Sequence, residues 1–155
     1  MLKISLLPLH SALRAPRITA PIPKLTLNLL RHQYNLNMNV EELRTYCLEK
    51  KGVSESTPFD DVTLVFKVMN KMFALIPLDN DQLSLSLKCD PEKAIQLREQ
   101  YPSVTAAWHF NKKHWNTVNV DGMVEVEKIK GWIDHSYDLV VAGLTRKLKE
   151  ELARL

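Results

Sequence analysis

Apolar and polar residues alternate most regularly between positions 83 and 89. Leu83, Leu85, Leu87 and Cys89 alternate there with Ser84, Ser86 and Lys88. A period of two predicts a strand with one buried face. The segments 64–69 and 72–76, which are rich in β-branched and aromatic residues, predict two earlier strands. Short turns at 70–71 and 79–81 would join the three in an antiparallel meander.

Helical signals precede and follow this meander. Asn39 and Glu42 have the spacing of a capping box, and Gly52 suits the end of the helix that they would begin. Asp90 and Pro91 then open a second predicted helix, with a capping carboxylate before a proline in the first turn.

The C-terminal half predicts two more strands and two more helices. The strands are 104–110 and 117–120, on either side of a Lys112-Lys113 turn. A long helix from about Val124 to Gly143 follows, then a short one. This order predicts an α+β fold in two layers, an antiparallel β-sheet with helices packed on one face.

Length and composition fit one globular domain. The chain has 155 residues, 45% of them hydrophobic and 25% charged. No apolar run approaches the ~18 residues of a membrane span. Cys47 and Cys89 form neither a disulfide framework nor a metal motif. We therefore expect a cytoplasmic monomer.

The charge is unevenly distributed. Residues 1–37 carry five of the 21 basic residues and none of the 18 acidic ones, so positions 38–155 have 16 basic against 18 acidic residues, a net charge of −2. The first 37 residues also hold four of the eight prolines. We interpret 1–37 as a poorly structured extension with Met38 as the natural start, and 38–155 as one domain. A transit-like peptide and a functional basic arm are the alternatives.

The segment 106–118 has the residue types that nucleic-acid binding requires. Lys112 and Lys113 could reach phosphates, Trp115 and Phe110 could stack on bases, and Asn111 could hydrogen-bond. Lys71 would extend this surface at another hairpin. The predicted DNA-binding residues are Lys71, Lys88, Asn111, Lys112, Lys113, His114 and Trp115. In the alternative interpretation, Trp108 and Trp115 belong to the core and the two lysines are solvated turn residues.

Catalytic and metal motifs are missing from the sequence. His109, His114 and His135 have no metal-ligand spacing, and the four glycines form no phosphate loop. The run Asp134-His135-Ser136 cannot form a catalytic triad, because adjacent helix residues point about 100° apart. We expect Tyr137 and His135 to pack this helix onto the sheet, with their polar ends bonded to a neighbour. No enzyme activity, cofactor or metal is therefore predicted.

Several segments resemble one bacterial family, MmcQ/YjbR. The resemblance covers Met38–Leu155 and rests on residues 58–59, 64–68, 71–76, 86–91, 111–118 and 133–140. Met69-Asn70 stands where the family usually has a glycine pair. The resemblance implies a CyaY-like fold and a "double wing" DNA-binding domain. From this resemblance and the basic residues we predict that the protein binds DNA weakly and in a salt-dependent manner. Such binding could serve gene regulation. A protein-interaction or small-ligand module that uses the same aromatic surface is the alternative.

Overall fold

The computed structural model describes residues 38–155, so our predictions for 1–37 lie outside the described residues. It contains α1 (Val40–Leu48), β1 (Val53–Ser56), β2 (Thr63–Val68), β3 (Lys71–Pro77), β4 (Ser84–Lys88), α2 (Pro91–Gln100), β5 (Val104–Ala106), β6 (Trp115–Asn119), α3 (Val126–Ala142) and α4 (Arg146–Arg154). The predicted α+β class is confirmed. Within this range, no helix has the length and hydropathy that a membrane span requires.

The six strands form one antiparallel sheet in the order β1-β2-β3-β4-β6-β5. The three meander strands were predicted to within two residues. Strand β1 was not among the predicted elements. The strand predicted at 104–110 ends at Ala106, and the next strand begins at Trp115 rather than at position 117.

The predicted caps form in the structure. The Asn39 side chain and the Glu42 backbone N–H are 2.9 Å apart, and the Glu42 carboxylate accepts the Asn39 backbone N–H at the same distance. At α2, the Asp90 carboxylate accepts hydrogen bonds from the backbone N–H groups of Glu92 and Lys93. These contacts satisfy helix-start N–H groups that have no partner within the helix.

The hairpin between β2 and β3 turns at Met69 and Asn70, one residue earlier than predicted. Their φ angles are 46° and 62°, in the left-handed region that a two-residue type I′ turn requires. Asparagine tolerates this region well. Met69 packs its side chain against the core, and its backbone N–H donates to the Gly52 carbonyl at 3.2 Å.

All helix packing involves one face of the sheet. Residues paired directly across antiparallel strands project from the same face. Phe66 pairs with Ala74, and Ala74 pairs with Leu87; all three belong to the main core cluster. The same cluster includes Leu43 from α1 and Ile133 from α3, which cover this face.

The second face carries a different row of side chains. Val65 pairs with Leu75, Leu75 with Ser86, and Ser86 with Thr117. None of these four belongs to the main core cluster. We call this the open face. Ser84 and Ser86 are nevertheless buried, so β4 is covered on both sides rather than half-buried as the alternation predicted.

The Asp134–Tyr137 run docks α3 against the sheet and α1; packing on the sheet was predicted, whereas the contacts of Asp134 and Ser136 were not. The Ser136 hydroxyl donates to the Phe73 carbonyl at 2.5 Å and accepts the Lys88 backbone N–H at 2.8 Å. Asp134 accepts from the Tyr46 hydroxyl at 2.9 Å and pairs with Lys50. The Tyr137 hydroxyl donates to the Lys51 carbonyl at 2.7 Å.

Candidate functional site: a groove on the open face of the sheet

A groove of about 680 Å³ runs over the open face. Its floor includes Leu75 from β3, Ser84 and Ser86 from β4, and Thr117 from β6. The Ser86 and Thr117 hydroxyl oxygens lie 3.0 Å apart and share a hydrogen bond. This volume is within the range of small-molecule sites, about 300–1,000 Å³.

Two loops from opposite halves of the sheet form the walls. Residues 57–62 connect β1 to β2 and contribute Phe59 and Asp60. Residues 107–114, which we call the wing loop, connect β5 to β6 and contribute positions 108–110. Strands β3 and β4 lie between the two connections.

Short-range hydrogen bonds shape the first wall. The Asp60 carboxylate accepts from the Val62 backbone N–H and from the Thr63 hydroxyl, both at 3.0 Å. An aspartate that bonds to the backbone two residues later is a common turn former. Asp60 therefore fixes the loop that carries Phe59.

The wing loop is held by its own turn and by α2. The backbone carbonyl of Asn111 accepts the backbone N–H of His114 at 2.9 Å. The side-chain oxygen of Asn111 accepts the backbone N–H of Lys113 at 3.0 Å. Arg98 donates to the Lys112 carbonyl at 2.5 Å and to the Asn116 side chain at 2.7 Å. The side-chain oxygen of Asn111 thus serves the turn, and its amide nitrogen is the part available to a ligand.

The structure exposes Trp108, for which no binding role was predicted, and buries Trp115, which was predicted to stack on bases. Trp115 is only 8% exposed and stacks on Phe110, with ring centroids 4.9 Å apart. Trp108 is 80% exposed, and the Lys112 ammonium group lies 5.1 Å from its ring centroid. A base could stack on Trp108, whereas Trp115 lacks a free ring face; the prediction for Trp115 as a stacking residue is corrected accordingly. The cause is that β6 begins at Trp115 and fixes its ring against the sheet.

The predicted lysines do not form one cluster. Lys112 and Lys113 are adjacent and exposed on the wing loop. Lys88 pairs with Trp115, so its register places it on the open face. Lys71 pairs with Val68, a core residue, so its register places it on the helix-covered face, at the β2–β3 hairpin.

Sequence reasoning missed Lys67 and Phe59. Lys67 follows Val65 by two positions and pairs with Met72, which places it on the open face. This alternation was visible in the sequence. Phe59 is 65% exposed on the first wall, and a loop residue gives no periodic signal.

The groove is electrically asymmetric along the strands. Asp79 precedes β4 and Asp60 precedes β2, and both line the groove at that end. Lys67 and Lys88 lie near the opposite ends of β2 and β4. An anionic group is therefore repelled from one end and attracted to the other.

Histidines and cysteines offer little metal chemistry in residues 38–155. No group of three or more His, Cys, Asp or Glu side chains is placed to hold a metal ion there. His109 lines the groove, whereas His135 accepts the Asp90 backbone N–H on the helix side. Cys47 is buried, and burial raises the pKa of its thiol to about 12, which makes it a poor nucleophile.

The fold and groove define a small α+β domain with one helix-covered and one open sheet face. The YjbR family model matches residues 48–139, and the chain belongs to this family. The uncharacterized protein YjbR of Escherichia coli K12 is 34% identical over 118 residues, which are 76% of this chain and 100% of that protein. The uncharacterized protein YbdF of E. coli O157:H7 is 32% identical over 107 residues, 69% of this chain and 88% of that protein.

Solved structures show the same fold. A Deinococcus radiodurans protein with a DUF419 domain superposes with a TM-score of 0.70 at 43% identity, covering 75% of this chain and 88% of that one. A Pseudomonas syringae protein gives a TM-score of 0.58 at 27% identity, covering 66% and 98% of the two chains.

Proposed function

We propose that this YjbR-family protein binds DNA weakly and in a salt-dependent manner through the wing loop and the open face. The observation that carries the proposal is the pairing of two exposed lysines with an exposed tryptophan, with Lys112 over the Trp108 ring. Lysines attract phosphates, and exposed aromatic rings stack on bases. Lys88 and Lys67 would extend the basic surface along the open face. The protein has no enzymatic role in this proposal.

The balance of charge argues for weak binding. Residues 38–155 carry a net charge of −2, and Asp60 and Asp79 lie within the groove. Only two or three phosphates can be neutralised near the wing loop. The logarithm of the binding constant should then fall with the logarithm of salt concentration with a slope of about −2 to −3.

Fluorescence anisotropy with the full-length chain tests this proposal. Labelled duplex and single-stranded DNA would be titrated across a salt series. Lys112→Ala/Lys113→Ala should weaken binding and bring the salt slope about two units closer to zero. The matched control is Lys147→Ala/Arg154→Ala, which removes the same charge from exposed positions on α4. Equal losses in both variants would show a non-specific charge effect and contradict the proposal.

The same titration separates binding by residues 1–37 from binding by the groove. Five basic residues in that segment could bind DNA on their own. In that case neither double variant would change the affinity appreciably, and the wing-loop proposal would fail.

A small-ligand site is the second candidate, and the groove itself favours it. Its 680 Å³ volume, aromatic walls and hydroxyl-bearing floor suit a compact planar molecule. Binding of an uncharged ligand should be nearly independent of salt, whereas DNA binding weakens as salt rises. Salt-independent binding of a neutral ligand without DNA affinity would favour this second function.

A further inference from the structure

Two exposed aromatic side chains line the same groove. Phe59 and Trp108 are 65% and 80% exposed, on separate loops that form the two walls. Large exposed apolar groups that gather at one concavity mark a binding surface rather than ordinary surface variation. Neither ring contributes to the main core cluster. Their position on the walls suits a flat ligand that enters between them.

The width of the floor limits what can enter. Strands β2 and β6 lie three strand spacings apart, about 14 Å between backbones, and they run antiparallel, so the loops that precede them stand diagonally across the floor. Phe59 and Trp108 nevertheless line one groove, so their side chains reach in over this floor. An unpaired base can reach the floor, whereas a double helix keeps its bases stacked inside and could contact only the rims.

The floor can hydrogen-bond the edge of a base. The Ser84 hydroxyl can donate or accept, and the Ser86–Thr117 pair, joined by one hydrogen bond, keeps one hydroxyl hydrogen and further lone pairs for a ligand. Such groups suit the mixed donors and acceptors of an exposed base edge. A hydrophobic peptide segment would offer no hydrogen bond to the Ser84 hydroxyl and none to the remaining capacity of the Ser86–Thr117 pair, which is unfavourable.

The charges give the ligand a direction. Asp60 and Asp79 repel phosphate from one end of the groove, while Lys112 and Lys113 lie on the wing loop. A nucleotide would therefore place its base on the floor and its phosphate beside these lysines. The Lys112 ammonium over Trp108 places positive charge beside the stacking ring.

We infer that the groove receives an unpaired nucleobase between Phe59 and Trp108, so that the protein prefers single-stranded to duplex nucleic acid. The inference rests on the proposed function and specifies its ligand. The wing loop supplies phosphate contacts, which single strands and duplexes share. The groove supplies base contacts, which only an unpaired base can make.

Two ligands test the inference by separating base contacts from phosphate contacts. One is a single-stranded oligonucleotide; the other is a strand of the same length whose central residues are abasic, so that every phosphate remains. The full-length protein, Trp108→Ala, Phe59→Ala and Trp108→Phe would be titrated with both strands and with the duplex. Both rings are largely exposed, so these substitutions should leave the fold intact, which circular dichroism would check.

We expect the abasic strand to bind about 5- to 150-fold more weakly than the normal strand, the range that one aromatic–base stack supplies. Trp108→Ala should weaken normal-strand binding by a similar factor and bring the two strands close to the same affinity. Trp108→Phe should retain most of the difference. Ile95→Ala, an exposed apolar residue on α2, is the control and should leave all affinities unchanged.

Different results overturn different conclusions. If duplex and single strand bind equally well, and Trp108→Ala weakens both equally or neither, the base-binding inference is overturned. The proposed function would survive that result provided that Lys112→Ala/Lys113→Ala still removes salt-sensitive binding. If no nucleic acid binds, both conclusions fail. A protein complex that is sensitive to Trp108→Ala, without any nucleic-acid affinity, would also overturn both.

Discussion

Ser136 is a fully buried hydroxyl group that connects three elements. The pairing of β2 with β3 shifts register between Phe66 and Lys67, which leaves Phe73 as the extra residue of a β-bulge. The residue pairs of β3 and β4 begin with Ala74 and Leu87. These two residues are the chain neighbours of Phe73 and Lys88, respectively. The hydroxyl of Ser136 bonds to the Phe73 carbonyl and to the Lys88 N–H, so α3 supplies these contacts beside the bulge.

We predict that Ser136→Ala lowers the free energy of unfolding by about 1–3 kcal/mol. The substitution would deprive a buried carbonyl and a part-buried N–H of their partner. Urea denaturation at neutral pH would measure the change. Ser54→Ala, at an exposed position on β1, should change stability by less than about 0.5 kcal/mol. A loss for Ser136→Ala no larger than this control would contradict the bridging role.

Part of this arrangement could be predicted from the sequence. Helix geometry sufficed to reject a triad at Asp134-His135-Ser136 and to predict packing there. The partners of Ser136 could not be predicted, because a bulge at Phe73 disturbs β3 without disturbing its apolar pattern. Similarly, the choice between Trp108 and Trp115 depends on the residue at which β6 begins.

At the scale of elements, the wing loop owes its position to α2. Arg98 contacts both the Lys112 carbonyl and the buried Asn116 side chain, and Asn116 in turn donates to the Ala94 carbonyl at 3.2 Å. One arginine therefore ties a helix, a strand and a loop together. Because Arg98 touches the backbone of Lys112, it sets where the exposed lysines and Trp108 are presented.

Arg98→Ala should loosen the wing loop. Each hydrogen bond to a charged group contributes about 1.5–3 kcal/mol when well shielded, and less at this partly exposed site. We expect backbone amide exchange at Lys113 and His114 to accelerate about fivefold or more, with weaker DNA binding. Hydrogen-exchange mass spectrometry would measure the first effect. Glu99→Ala, the exposed neighbour on α2, is the control, and unchanged exchange in the loop would show that Arg98 does not hold it.

Elements with strong local patterns were predictable, and those defined by tertiary pairing were not. The capping box at Asn39 predicted the start of α1, which ends at Leu48 rather than near Gly52, and the alternation in 83–89 predicted β4 to within two residues. Strand β1 has the sequence Val-Ser-Glu-Ser, whose single apolar residue gives no detectable period. Trp108 and Phe110 have β-forming side chains, yet the chain leaves the sheet at Ala106 to build the groove wall, so tertiary structure overrides propensity there.

For the whole molecule, two groups make stability depend on pH in the same direction. Burial, with the nearby Lys93, lowers the pKa of His135 despite the opposing carboxylates of Asp90 and Asp138. The bidentate hydrogen bonds from Arg44 lower the pKa of Glu55. In both cases the unfolded chain binds the proton more readily. Stability is therefore present above the unfolded-state pKa and lost as pH falls through the folded-state value.

We expect the urea midpoint to fall in two stages on acidification. The first begins below about pH 6.5, where unfolded histidine titrates, and the second below about pH 4.5, where unfolded glutamate does. His135→Gln should flatten the first stage only, and Glu55→Gln should reduce the second only. Denaturation curves at a series of pH values would show this, and a first stage that persists in His135→Gln would assign it to another group.

Strand β4 belongs to two different surfaces of the protein at once. Leu85 and Leu87 lie in the core under the helices, while Ser84 and Ser86 form the floor of the groove. Natural selection can therefore act on neighbouring codons almost independently. Descendants of this fold could exchange the hydroxyl positions to acquire new ligands while the leucines hold the architecture constant. Within the five residues of β4, substitutions on one face would thus change ligand binding, and substitutions on the other would change folding stability.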